Sequence, residues 1–328
     1  MKKLGIAPGS LLVIAILLLI PFLDEARTLL SFKKVDDYPL YVMTFFGDYD
    51  YLEYLQEIRE SASLEAESLE PSWACSVFSA AAAEGDLILG RNFDWYFHPA
   101  LLLFADPPDG YASVSMVDLH YLGFERDISP TLSDRLRLLE TPYFPFDGMN
   151  EHGLAVGMMA VSRAEYNNYP GKTTIGSLGA IRIMLDYAKD VDEAIALLQG
   201  YNIDFGSPPL HYLIADSNGD SAILEFLDGE MHVIRDSEPW QVSTNFLITT
   251  THPEGSDAPC WRYRRAYEML QEAEGSLTTM EGMHLLEEVS QSGGTATIWS
   301  IIYDRDDGEI LIAVDRNYQQ LYDFDLKP

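Results

Sequence analysis

Two cysteines, Cys75 and Cys260, occur in 328 residues, and the first has the neighbours a reactive thiol needs. Cys75 opens a short apolar run to Ala82, and a second run, residues 86–93, follows around Glu84-Gly85, which predicts a hairpin. A two-residue turn there would set position 75 opposite position 94. The thiol would then lie beside Gly90-Arg91-Asn92-Phe93-Asp94-Trp95. A guanidinium next to a thiol favours thiolate, so Cys75 with Arg91 and Asp94 is a candidate nucleophilic site. Arg91 and Asp94 are three apart and face opposite sides of a regular strand. Both reach the thiol only if the strand ends, bulges or twists there. A buried structural cysteine beside an ordinary ion pair fits the same residues.

Other candidate groups carry less chemistry. The histidines at 98, 120, 152, 211, 232, 252 and 284 show no pair at helix-face ligand spacing and read as structural or surface residues. Without CxxC or His/Cys zinc spacing, no metal site and no cofactor are expected. Cys75 and Cys260 fit one bridge or two free thiols, with Cys260 the packed one. Asp216 and Asp220 flank a hairpin turn, which accounts for them. Arg262, Arg264 and Arg265 read as an ion-paired helix start or as an anion-binding edge for a substrate head group. Met158 and Met159 read as core, though methionines also line pliable acyl pockets.

The elements that must position these groups are short strands, tight turns and paired helices. Strands are expected at 75–82, 86–93, 112–119, 154–162, 211–215, 222–227, 231–235, 297–303 and 310–314. The turns Asn218-Gly219, Asp228-Gly229 and Asp306-Asp307-Gly308 join neighbours among them. Helices are expected at 52–69, 175–188, 190–200, 261–273 and 280–290. Asp190 with Glu193, and Thr278 with Glu281, stand at capping-box spacing. Hairpins with helices in sequential pairs mean antiparallel sheet plus helical layers, an α+β fold. Neither GxGxxG nor GxxxxGK[ST] is present, which disfavours nucleotide-binding folds.

Lys2 and Lys3 precede an apolar run from Leu11 to Leu23, and Asp24-Glu25 follow it. This pattern fits a retained anchor or a secretory signal, with the rest of the chain exported. Residues 1–34 are assigned to this signal or anchor, which offers membrane association. The net charge of −31 opposes nucleic acid and electrostatic docking on anionic lipid. An oligomer is compatible with the composition.

Taken as a set, the motifs resemble the choloylglycine hydrolase family, N-terminal nucleophile hydrolases of linear amides. The residues that carry the resemblance are Cys75-Ser76-Val77-Phe78, Gly90-Arg91-Asn92-Phe93-Asp94-Trp95 and Gly148-Met149-Asn150-Glu151-His152-Gly153-Leu154. They continue with Ala215-Asp216-Ser217-Asn218-Gly219-Asp220-Ser221-Ala222-Ile223-Leu224-Glu225, Ser243-Thr244-Asn245-Phe246 and Thr297-Ile298-Trp299-Ser300. The resemblance implies a four-layer αββα fold over 75–328 and a pro-segment over 35–74, which follow the N-terminal hydrophobic helix read from the apolar run. It implies autocatalytic cleavage after Ala74, with Cys75 as nucleophile and its freed α-amino group as base. An α-amino group titrates at about 7.7–8, which suits that task. Asn245 is implied as oxyanion donor, Asp94 as holder of the α-amino group, and Arg91 as lining of the nucleophile pocket.

The implied substrate is a small N-acyl amide, and the implied reaction is hydrolysis through a thioester. Acyl transfer to an amine, or a catalytically silent tethered binding module, is the alternative. Two departures leave bile-salt and penicillin specificity unsupported. Val156-Gly157-Met158-Met159-Ala160 has methionine where bile-salt hydrolases carry asparagine, and no arginine occurs between Thr297 and Arg305. Acid ceramidase and N-acylethanolamine amidase, lipid-amidase relatives with a long segment before the nucleophile, look closer. Met159 and Arg262 are candidate substrate contacts.

Overall fold

A computed structural model describes residues 23–55, 74–82, 85–128, 131–165, 168–206, 208–253 and 257–326. The apolar run from Leu11 to Leu23, apart from its last residue, and most of the helix expected at 52–69 lie outside these residues. No helix among the described residues is long and apolar enough to cross a membrane.

In chain order, helix α1 (23–31) leads into β1 (Lys33–Asp36), β2 (Leu40–Phe45) and the described part of α2 (51–55). Then come β3 (Ala74–Ala80), β4 (Ile88–Trp95), β5 (Ala100–Ala105), β6 (Ser113–Asp118), α3 (Leu132–Arg137), β7 (Asp147–Asn150) and β8 (Ala155–Ala160). They are followed by β9 (Thr173–Gly176), α4 (Ser177–Tyr187), α5 (Val191–Leu198), β10 (Tyr201–Asp204), β11 (Leu210–Ala215), β12 (Ser221–Leu227), β13 (Glu230–Ile234) and β14 (Trp240–Ser243). The remainder is α6 (Ile248–Thr251), α7 (Trp261–Glu272), α8 (Thr279–Glu288), β15 (Ala296–Asp304), β16 (Glu309–Val314) and β17 (Tyr322–Asp325).

Two sheets dominate. One has the order β1-β2-β5-β6-β7-β8-β11-β12-β13 and the other β14-β3-β4-β15-β16-β17. Gly148 on β7 faces Leu185 of α4, whereas its neighbour Asp147 reaches across to Trp299 and Tyr303 of the second sheet. Pleat alternation thus gives the first sheet a helical face and a sheet-facing face. On the far side of the second sheet, α7 and α8 cover β3, β4, β14 and β15. The α+β expectation stands, with helices outside both sheets. Residues 33–45 join the same architecture, because β2 runs parallel to β5 along six paired positions.

Local signals behaved as their chemistry requires. Thr278 and Glu281 form a reciprocal capping box on α8, and the Asp190 side chain caps α5 through the N–H of Glu193. Asp228 and Gly229 both take positive φ in the turn between β12 and β13. The first hairpin differs from expectation. Cys75 pairs with Phe93 and not with position 94, because residues 81–87 form a longer connection in place of a two-residue turn. In that connection Ala81 bonds Pro239 and Asp86 bonds Leu277, so tertiary contacts set the register by one residue.

Gly153 closes the turn after β7 at φ +79°, where a Cβ would lie 2.1 Å from the Arg305 carbonyl oxygen. Gly153→Ala is expected to cost more than about 1 kcal/mol, read by urea denaturation, since it adds a backbone clash to an unfavourable φ.

Candidate active site

Cys75 is the second residue of β3 and points into the core between the sheets, alongside Val77, Leu89 and Phe93. Arg91 lies two residues from Phe93 on the same face of β4. Its Nη2 stands 3.8 Å from Cys75 Sγ. Arg91 Nη1 donates to the Phe146 carbonyl at 2.7 Å and to the Asp147 carboxylate. Asp147 also accepts from Trp299 Nε1 at 3.2 Å and from the Tyr303 hydroxyl. Arg91, Asp147 and Cys75 are all fully buried. Burial pushes the Cys75 thiol up, and the Arg91 guanidinium offsets this only in part. Cys75 is therefore a thiol pinned beside a cation.

The Asp94 carboxylate takes the opposite face, as the three-residue spacing predicts. Only its backbone N–H reaches the Cys75 sulfur. The carboxylate accepts from Thr297 Oγ1, from Gln291 Nε2 at 2.9 Å and from Arg262 Nη1 at 3.1 Å. Burial raises Asp94 to about 6, against the pull of Arg262 and the Thr297 and Gln291 donors. Arg262 also donates through Nη2 to Asn245 Oδ1 at 2.7 Å, and the Cys75 backbone N donates to that same oxygen at 2.8 Å. Asn245 Nδ2 donates to the Ala160 carbonyl at 2.7 Å. One connected network therefore joins Cys75, Asn245, Arg262 and Asp94, with Arg91 on the thiol's other side.

Arg262 is only 4% exposed, which places it inside this network and not at an open edge. Its neighbours disperse, since Arg264 bonds the Ala258 carbonyl and Arg265 pairs with Glu288 on the surface. Met159 is fully buried on the inner face of β8, paired with His211. Cys260 stands at the N-cap position of α7 with no capping bond from its side chain, and both it and Cys75 are free thiols, so the one-bridge alternative falls. Arg305 donates to carbonyls of Asp216 and Ala80, at the end of β3 away from Cys75. Asp147 and Gln291 escaped the sequence reading. The available signals were an acid directly ahead of Gly148-Met149-Asn150 and an amide six residues before Thr297.

A family profile described as linear amide C-N hydrolases, choloylglycine hydrolase family, matches residues 75–246, from the candidate nucleophile to just past Asn245. The chain belongs to the choloylglycine hydrolase family. Among curated members, a penicillin V acylase from Pectobacterium atrosepticum is 33% identical over 111 residues, 30% of this chain and 29% of that protein. The aligned part thus spans less than a third of that relative. Among solved structures, a conjugated bile acid hydrolase from Clostridium perfringens superposes with TM-score 0.58 at 17% identity, covering 76% of this chain and 92% of that one. Penicillin V acylase from Agrobacterium tumefaciens gives 0.57 at 19%, covering 76% and 86%. At those identities the likeness is one of fold. This choloylglycine hydrolase family member therefore shares their layered architecture, and its site stands on its own geometry.

Removing one partner of a buried ion pair leaves an uncompensated charge in the core. Asp147→Asn is expected to lower the unfolding free energy by roughly 3–5 kcal/mol. Arg265→Ala, which breaks the exposed pair with Glu288, is expected to cost about 0–1 kcal/mol. Equal losses in urea titrations of the two would contradict the central place given to the Arg91–Asp147 pair.

Proposed function

We propose that this chain is an amidase cleaving the linear, non-peptide C-N bond of an N-acyl substrate, with Cys75 as a nucleophile exposed by cleavage after Ala74. One observation carries the reading. The Cys75 thiol lies 3.8 Å from Arg91 while its main-chain nitrogen is already held at 2.8 Å by Asn245, in a member of an amide hydrolase family. Ala74 faces Asp94 directly across the β3–β4 pair. Loss of Ala74 clears the space beside that carboxylate for the new α-ammonium, whose three N–H groups can reach both Asp94 and Asn245.

In turnover, the neutral α-amine takes the thiol proton, and the thiolate attacks the amide carbonyl. The second hydrogen on Asn245 Nδ2 is the donor for the tetrahedral oxyanion. The α-ammonium then protonates the departing amine as the C–N bond breaks. The resulting thioester is resolved by water, activated by the same amine, which returns the acid product and the free thiol. Arg262 fixes Asn245 and Asp94 relative to each other.

An apolar acyl group is favoured. A cavity of about 510 Å³ is lined by Tyr51, Tyr54, Tyr121, Tyr143, Phe144 and Phe205. None of Cys75, Arg91, Asp94, Asn245 and Arg262 lines it, and the packed rings of Tyr121, Phe146 and Phe93 lie between it and the thiol, so an apolar acyl chain would reach it only by displacing them. The same reading places the enzyme outside the cytoplasm, delivered by the apolar run behind Lys2 and Lys3.

The test is a panel of a long fatty-acyl amide, a phenoxyacetyl amide and a glycine-conjugated bile acid, with intact-mass measurement. Cys75→Ala is expected to abolish both self-cleavage and hydrolysis. An unbroken Ala74–Cys75 bond in fully active protein would sink the mechanism. The pH profile supplies an independent check. The amine must be neutral, so activity falls about tenfold per unit below its pKa of about 8. With Ala74 still attached, burial sets Asp94 at about 6, and an α-ammonium held against it draws that value down. The acid limb of log kcat/KM is therefore expected to keep slope one through pH 6. Steepening to slope two at pH 6 counts against Asp94 as the carboxylate anchor.

A further inference from the structure

A second buried acid–base pair lies beneath the Asn245 segment and takes no part in the chemistry described above. His211 on β11 and Glu225 on β12 are both fully buried. The β11–β12 register, with Tyr212 opposite Leu224, sets them across from each other on one face. His211 also sits opposite Met159 on β8, so the three side chains form one row on the face toward the second sheet. His211 Nδ1 meets Glu225 Oε1 at 3.3 Å, and Nε2 meets the Thr244 carbonyl at 2.8 Å. The Ser243 hydroxyl also stands 3.3 Å from Nε2. Glu225 in turn accepts from the backbone N–H of Ile248 at 2.6 Å and of Thr249 at 2.9 Å. Leu247, at the N-cap of α6, has no side chain able to do this. The pair thus grips the main chain at 244 on one side of Asn245 and at 248–249 on the other.

A buried imidazole and carboxyl are a costly way to fill space, and apolar residues of similar volume commonly serve stability as well. What this pair does that an apolar pair cannot is hold three specific backbone groups around one side chain. We propose that His211 and Glu225 are positioning residues for Asn245, fixing its amide at the Cys75 nitrogen and at the site of oxyanion formation. The proposal rests on the amidase reading and on Asn245 as oxyanion donor.

Glu225→Gln tests it, because both carboxylate oxygens accept N–H groups and an amide turns an N–H against one of them. Rates are taken per chain shown by mass to begin at Cys75, on the fastest substrate of the three-amide panel. Asn245→Ala alone is expected to lower kcat about 10²–10³-fold. Glu225→Gln is expected to lower kcat about ten- to a hundredfold with KM within about twofold. In the Asn245→Ala background it is expected to cost nothing further, since a residue acting only through another shows no effect once that one is gone. His211→Gln carries the same cycle if Glu225→Gln loses its cooperative thermal melt. Unchanged kcat in Glu225→Gln, or an equal loss in both backgrounds, overturns the pair's role while leaving Asn245's intact. Parental kcat in Asn245→Ala overturns the oxyanion role and this proposal together, as does a parent that turns over no substrate. Loss of the melt in both variants makes the pair a folding element and also overturns the proposal.

Discussion

The site depends on one carboxylate set between two sheets. Asp147 has no exposure to water, yet it faces the Arg91 guanidinium and two ring-bearing donors, Trp299 and Tyr303. A cation placed in that core without such a partner would shed its charge or drag in solvent. Asp147 lets Arg91 stay charged and immobile beside a buried thiol. Because Trp299 and Tyr303 belong to β15 and Asp147 to β7, the same contact pins the two sheets together at the level of Cys75. The geometry around Cys75 and the packing of the sheets are here a single interaction.

Around that pair the site is organised by opposite faces of one strand. Arg91 looks into the inter-sheet core and Asp94 looks out to α7 and α8, where Arg262 meets it. The pleat therefore separates the cation beside the sulfur from the carboxylate that Arg262 holds. Asn245 and Arg262 join the two sides at the Cys75 end of β3. Cys75 sits near a strand end, the one place where groups from both faces can converge on a single residue.

Much of this was legible in the sequence and some was not. The Cys75, Arg91, Asp94 and Asn245 motifs, the helix caps and the Asn-Gly and Asp-Gly turns are local signals, and the elements they mark appear within a few residues of expectation. β5 was missed because Ala100 to Ala105 is continuously apolar, with no alternation to distinguish strand from helix. β7 was missed because Asp147-Gly148-Met149-Asn150 is poor in strand-forming residues. Its strand state comes from β6 and β8 on either side, and Asn150 ties its end to carbonyls of α4 and Ala188. The hairpin register and the partnership of Asp147 with Arg91 follow from contacts between segments far apart in the chain, which no window of residues contains.

The parallel ladder between β2 and β5 has a consequence for how the molecule comes apart. Residues ahead of Cys75 supply two edge strands of the larger sheet, and Tyr49 bonds Asp186 of α4 at 2.6 Å. If the chain is severed after Ala74, the leading piece has no reason to leave, since departure would bare the β5 edge. Unfolding, however, changes character. An intact chain rejoins these strands as an intramolecular event at high effective concentration, while a nicked one must find its other half by diffusion. Maturation would then turn a reversible folder into an assembly that, once melted, regains its form only as a second-order reaction between two fragments.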